Sequence, residues 1–134
     1  MTTPIKFPLC DFRAFNQSAA GVPATATTTA PTAADPTNTY TNYLVVEDIT
    51  ACLVSGTGTQ APVPVTLVDG TGSTPIVWGG LLGGQSNNAA VIIQQFLNIK
   101  CSSGFATLAF GTGLSTTGQT SVAFGGYYAG PGSN

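Results

Sequence analysis

The chain has 134 residues, of which 43% are hydrophobic, and this is enough for one domain with a modest core of its own. Only 6% of the residues are charged and the net charge is −2, whereas an average soluble domain has about 25% charged residues. This composition excludes the basic surface that attracts nucleic acid or an anionic membrane, and its weak self-repulsion favours close association with other protein surfaces.

Residues 1–40 differ in composition from residues 41–134. The stretch 18–39 is nearly all Ala, Thr and Pro, and its prolines favour an extended linker. The first seventeen residues concentrate large apolar side chains where no self-contained core can form, so they either fold back as an edge strand on their own domain or dock on a neighbour. We favour docking. The sequence therefore predicts an extended N-terminal arm and linker over 1–40, a body over 41–134, and four arm anchors: Phe7, Leu9, Phe12 and Phe15.

From residue 43 the chain has short runs rich in β-branched and aromatic residues, separated by Gly, Ser, Thr and Asn clusters. In the first run, strict alternation places Val45, Glu47 and Ile49 on one face, and Leu44 and Val46 on the other. Seven or eight such strands predict an all-β fold, a β-sandwich or jelly roll. The predicted strands cover residues 43–53, 63–68, 74–78, 89–93, 96–99, 105–110 and 120–128.

The residues that carry catalytic or metal chemistry are few. Histidine, the usual general acid–base group near neutral pH, is absent, and the adjacent Glu47 and Asp48 point to opposite faces of a strand. Cys10, Cys52 and Cys101 are widely spaced, without a C-x-x-C pair, and are typical of buried structural thiols. We therefore expect no enzyme, no cofactor and no metal site.

The N-terminus has no continuous apolar run, so we expect neither a signal peptide nor a membrane span, and synthesis in a reducing cytosol. The glycine-rich pieces at 56–58 and 111–113 do not continue to a phosphate-binding Gly-Lys-Ser/Thr and indicate turns. Trp78, Tyr127 and Tyr128 have two interpretations. They belong to the core or to a protein interface, which we favour, or they line a sugar-binding face.

Five pieces of the body stand in an order typical of a known group: VVEDIT at 45–50, VTLVDGT at 65–71, IVWGGL at 76–81, GFATL at 104–108 and SVAFGGY at 121–127. In this order the chain resembles the small β-sandwich virion proteins of tailed bacteriophages, including capsid decoration or cement proteins and head-fibre bases. The resemblance implies a jelly-roll body, often trimeric, that sits on the outer capsid surface and stabilises the shell. It implies no site residues, because the role is spread over surfaces.

The resulting hypothesis is a non-catalytic decoration protein, made in the host cytoplasm, whose partners are the major capsid protein and further copies of itself. On this hypothesis, deletion of residues 1–17 weakens attachment to particles and leaves the body folded. Two alternatives stay open at this point: a tail, neck or baseplate component, which has a far lower copy number, and a carbohydrate-binding β-sandwich module.

Overall fold

The computed structural model describes the backbone of residues 5–28 and 43–130, and the side chains of residues 12–28 and 43–128. This part of the chain forms strands joined by turns and loops, which confirms the all-β prediction. The strands are β1 (Ile5–Gln17), β2 (Thr25–Thr27), β3 (Tyr43–Val54), β4 (Val63–Asp69), β5 (Ile76–Leu82), β6 (Ala90–Cys101), β7 (Ala106–Phe110) and β8 (Gln119–Gly130).

The strands form two antiparallel sheets of four. The first sheet has the order β1-β8-β3-β6 and the second has the order β2-β7-β4-β5. Successive strands alternate between the two sheets except at β4–β5, and this is the strand order of an eight-stranded jelly roll. The predicted sandwich is therefore confirmed.

Alternating residues of the two inner faces form the core. In β4, Val63, Val65 and Leu67 are buried, and Phe124 of β8 and Ile49 of β3 meet them from the first sheet. These residues are fully buried, and their alternation with more exposed neighbours explains why short β-branched runs were sufficient to locate the strands.

A β-bulge interrupts the alternation of β3. Its register against both neighbouring strands shifts between Val46 and Asp48. Leu44 and Val46 are buried before the shift, and Ile49 is buried after it. The predicted strict alternation across this strand is wrong, because the extra residue, Glu47, moves the inward-facing set from even to odd positions.

The N-terminal segment belongs to the sandwich. β1 pairs with β8, for example Phe15 opposite Ala123, and β2 pairs with β7. The Phe12 ring packs against Phe124 and Tyr128, with centroid distances of 5.6 and 5.5 Å. The predicted boundary at residue 40 is therefore corrected for residues 5–28, and the edge-strand interpretation replaces the arm for this segment. The part of the predicted linker that follows residue 28 lies outside the described residues.

The predicted strands at 89–93 and 96–99 are one strand, β6. Gln94 and Gln95 between them have no turn-forming character, and the pairing with β3 continues through both. Gly79 and Gly80, which follow the predicted end of the strand at 74–78, lie within β5 and pair with β4.

Candidate interaction surface

The two sheets leave β5 and β6 as neighbouring edge strands on one side of the sandwich. Trp78 Nε1 of β5 donates a hydrogen bond to Gln95 Oε1 of β6 at 2.8 Å. The Ile93 side chain lies over Gly80, where an added Cβ would be 3.0 Å from Ile93 Cδ1. Glycine at this position allows the two edges to approach, and the contact closes this side of the core.

Exposed apolar side chains concentrate on these two strands. Of the six large hydrophobic side chains that are exposed among the described residues, four lie here: Ile76 (57%), Leu81 (67%), Ile92 (63%) and Phe96 (83%). We call these four residues the β5–β6 surface. Scattered exposed hydrophobics are normal, but here four lie along one edge of the sandwich, two on the outer face of each sheet, and this makes the edge a candidate interaction site.

The β5–β6 surface has little charge near it. β5 has no charged residue, and β6 has only Lys100, near its end, whose ammonium lies 4.3 Å from the centroid of the Tyr43 ring. Asp48, opposite Phe96 in the β3–β6 ladder, is paired with Arg13 at 2.9 Å. The edge is thus close to neutral, and its backbone groups can pair with another strand without a like-charge cost.

The strand β6 is apolar on both faces. Its inward residues Val91, Ile93, Leu97 and Ile99 pack against the core, and Ile92 and Phe96 point the other way. A run that is hydrophobic on both faces is typical of a strand covered on both sides. In β6, which is an edge strand, the second face is uncovered among the described residues. The run Val91-Ile92-Ile93 contained this signal, but the sequence alone did not identify an edge position.

The predicted aromatic residues do not share a surface. Trp78 is half-buried at the edge of the second sheet, whereas Tyr127 and Tyr128 lie in β8, inside the first sheet. Tyr128 is buried in the core, so its ring is not available to stack on a sugar. Tyr127 lies near Tyr43, where burial raises the pKa of the Tyr43 hydroxyl and Tyr127 adds to the rise.

The predicted arm anchors also lie in different environments. Phe12 is part of the packing of the sandwich, which corrects its assignment as an anchor for a partner. Phe15 is 65% exposed and faces away from the core. Phe7 and Leu9 lie in β1, but their side chains are outside the described residues.

A cleft of about 350 Å³ opens between β1 and β2. Arg13 and Tyr128 are the ionisable residues on its wall, and the other residues there are apolar or threonine. A carboxylate is not among the lining residues, so the cleft offers no acid–base pair.

The two thiols in the described part of the chain are free. Cys101 is buried in the core; burial, with a smaller contribution from Asp69, raises its pKa to about 12. Burial also raises the pKa of Cys52, which is half-buried. Within residues 12–28 and 43–128, whose side chains the structure describes, no group of three His, Cys, Asp or Glu side chains is placed to hold a metal ion.

One end of the sandwich is built from four uncharged loops, residues 18–24, 55–62, 83–89 and 111–118. Gln60 is fully buried among them. Its Nε2 donates to the carbonyls of Ala61 (2.6 Å) and Gly113 (3.0 Å), and its Oε1 accepts from the Ser115 N–H (2.9 Å). Neutral side chains and backbone groups satisfy one another here, which explains how the fold forms with so few ions.

Comparison with protein families finds no family model that matches the chain, and comparison with curated proteins finds no matching sequence. In the part of the chain that the structure describes, no helix has the length and apolar character needed to cross a membrane.

Proposed function

We propose that this chain is a non-catalytic structural protein of a virion, a decoration protein whose copies associate with one another and bind the outer capsid shell. The resemblance in residues 43–130 supports the virion context, and the jelly-roll body fits it. The β5–β6 surface is the observation on which the association role depends.

Covering the exposed side chains of that surface would lower the free energy of the protein through the hydrophobic effect. Full burial of a side chain such as Phe or Ile contributes about 1.5–3 kcal/mol. The four residues are between 57% and 83% exposed, so covering each contributes about 1–2 kcal/mol. A monomer that left them in water would forgo this stabilisation, whereas an assembled protein gains it.

The sparse charge suits the same role. With a net charge of −2, copies repel one another weakly and can stand side by side on a shell. A rigid β body presents a fixed footprint, and linked copies on a repeating lattice turn a modest affinity into strong attachment through avidity.

The test is the stoichiometry of the protein on purified particles from its source, measured by mass spectrometry against the major shell protein. A copy number in a fixed ratio to the shell protein supports the decoration role. A handful of copies per particle places the protein in the tail or neck, and its absence from particles refutes the proposal.

A binding experiment tests the contribution of the surface itself. Purified protein is added to particles that lack it, and the occupancy of Phe96→Ser is compared with that of Asn98→Ser, a substitution two residues further along the exposed face of the same strand. We expect the Phe96 variant to have the lower occupancy. Equal occupancy for the two variants would show that the β5–β6 surface does not contribute to attachment.

A further inference from the structure

We infer that two copies of the chain associate along β6, in antiparallel register about Gln94, so that their first sheets join into one eight-stranded sheet. This inference rests on the association role proposed above and deepens it by naming the partner, the strand and the register.

The four edges differ in their capacity to accept another strand. β1 contains Pro8, which has no N–H to donate, three charged residues, and a register shift between Lys6 and Asp11. β2 has three residues and β5 has seven. β6 has twelve residues, no proline, no charge before Lys100, and a regular register with β3 from Ala90 to Phe96, before the shift opposite Glu47. Among the described strands, β6 is thus the long edge that is least protected against pairing, and Ile92, Gln94 and Phe96 lie in its regular part.

This difference favours a two-fold pair over a ring. A ring or a fibre requires β6 of one copy to pair with a different surface of the next. The other long edge is β1, whose proline and charges oppose a ladder. When β6 pairs with β6 of a second copy, the same favourable edge is used twice and the assembly closes.

The side chains of β6 define one register. With Gln94 opposite the second copy's Gln94, Ile92 lies opposite the second copy's Phe96, and Phe96 opposite its Ile92. All three residues are exposed on the same face of β6, as antiparallel pairs in a continuous sheet must be. Moving the centre by one residue in either direction places Ile92 opposite Gln94 or Asn98. The register about Gln94 therefore matches both large apolar residues in pairs.

The same register suits the remainder of the strand. On the core side, Val91 comes opposite the second copy's Leu97. The ladder runs over residues 90–98, and Lys100 falls beyond it. The two lysines are then displaced by twelve residues, roughly 40 Å along the sheet, so like charges do not oppose pairing.

Cysteine crosslinking of the full-length protein tests the register directly. Gln94→Cys and Asn98→Cys are introduced separately into a Cys10→Ser, Cys52→Ser background. Cys101 is retained because it is fully buried. The Cβ atoms of position 94 in two copies would lie about 5 Å apart, whereas those of position 98 would be offset by about 27 Å.

On oxidation, or with a short thiol-to-thiol crosslinker, we expect Gln94→Cys to give a covalent dimer, and Asn98→Cys to stay near the level of the parent background. Equal crosslinking at both positions refutes the register. Sedimentation of the parent chain provides a check on the two-fold pair. A trimer would refute the pair and point to the trimer that the resemblance implies. A monomer at every concentration would also refute it and point to a different protein as the partner.

Two single substitutions to lysine provide a second test of the register. Gln94→Lys places two ammonium groups directly opposite each other, whereas Asn98→Lys faces Ala90. We expect the first substitution to raise the dimer dissociation constant about two- to fivefold more than the second. Similar effects would contradict the register. Both experiments use purified protein without particles, so their outcome is independent of whether the chain decorates a capsid.

Discussion

Phe12→Ala should destabilise the protein much more than Phe15→Ala, although both residues lie in β1 and both were predicted to be anchors for a partner. The Phe12 ring lies between Phe124 and Tyr128, and the Phe15 side chain is 65% exposed on the opposite face. Truncation of a fully buried phenylalanine costs about 3–5 kcal/mol. Phe12 is half-buried and borders an open cleft, so its neighbours can relax into the space and the cost falls to about 2–3 kcal/mol.

The exposed Phe15 side chain has little packing to lose, and we expect its removal to change the free energy of unfolding by less than about 0.5 kcal/mol. The assay is urea unfolding followed by Trp78 fluorescence and circular dichroism, at a fixed protein concentration because association shifts the apparent stability. Equal losses, or a larger loss for Phe15→Ala, would refute the packing of β1 on the body. The expectation that the body folds without residues 1–17 would then be restored.

Three further substitutions test the strand packing, the loop end and the dependence of stability on pH. A Cβ at Gly126 would clash with the Val45 carbonyl oxygen, so Gly126→Ala should cost about 1–3 kcal/mol in urea unfolding. Gly79→Ala would make only ordinary contacts in its strand and should be close to neutral. Equal costs for the two variants would contradict the close approach at Gly126. Gln60→Ala removes three hydrogen bonds at the loop end, and it should lower the free energy of unfolding by about 2–4 kcal/mol in the same urea experiment. A loss below about 0.5 kcal/mol, which is typical of ordinary surface substitutions, would show that these bonds do not stabilise the loops. Burial raises the pKa of Cys101 from 9.0 to about 12 in the folded state, so the thiol loses its proton at a lower pH in the unfolded state. The free energy of unfolding should therefore fall as the pH rises from about 9 towards 12. Cys101→Ala should make this dependence on pH shallower, and an unchanged dependence would assign it to other groups.

The fold was predictable where local patterns are sufficient. Alternation in Val63, Val65 and Leu67 identifies a half-buried strand, and the Asp69-Gly70 turn ends it. The first half of β3 was not predictable, because the bulge at Glu47 is imposed by pairing with β6 and β8, and single-strand alternation does not contain that information.

The N-terminal segment was misassigned for a related reason. Its apolar residues are separated from their partners by nearly the whole chain, so nothing local to Phe12 indicates Phe124. The candidate surface could be anticipated in part: the residues around Ile92 are apolar on both faces, but only the strand order shows that β6 lies at an edge.

The pairing of β1 with β8 also has a consequence for how the protein acquires its structure. β1 is synthesised well before the strand with which it pairs, since Phe15 lies opposite Ala123. Topologies dominated by such distant contacts fold slowly, over about milliseconds to seconds. The phenylalanine-rich β1 therefore has no partner strand until β8 has emerged from the ribosome, and its apolar side chains are exposed to chaperones during that interval.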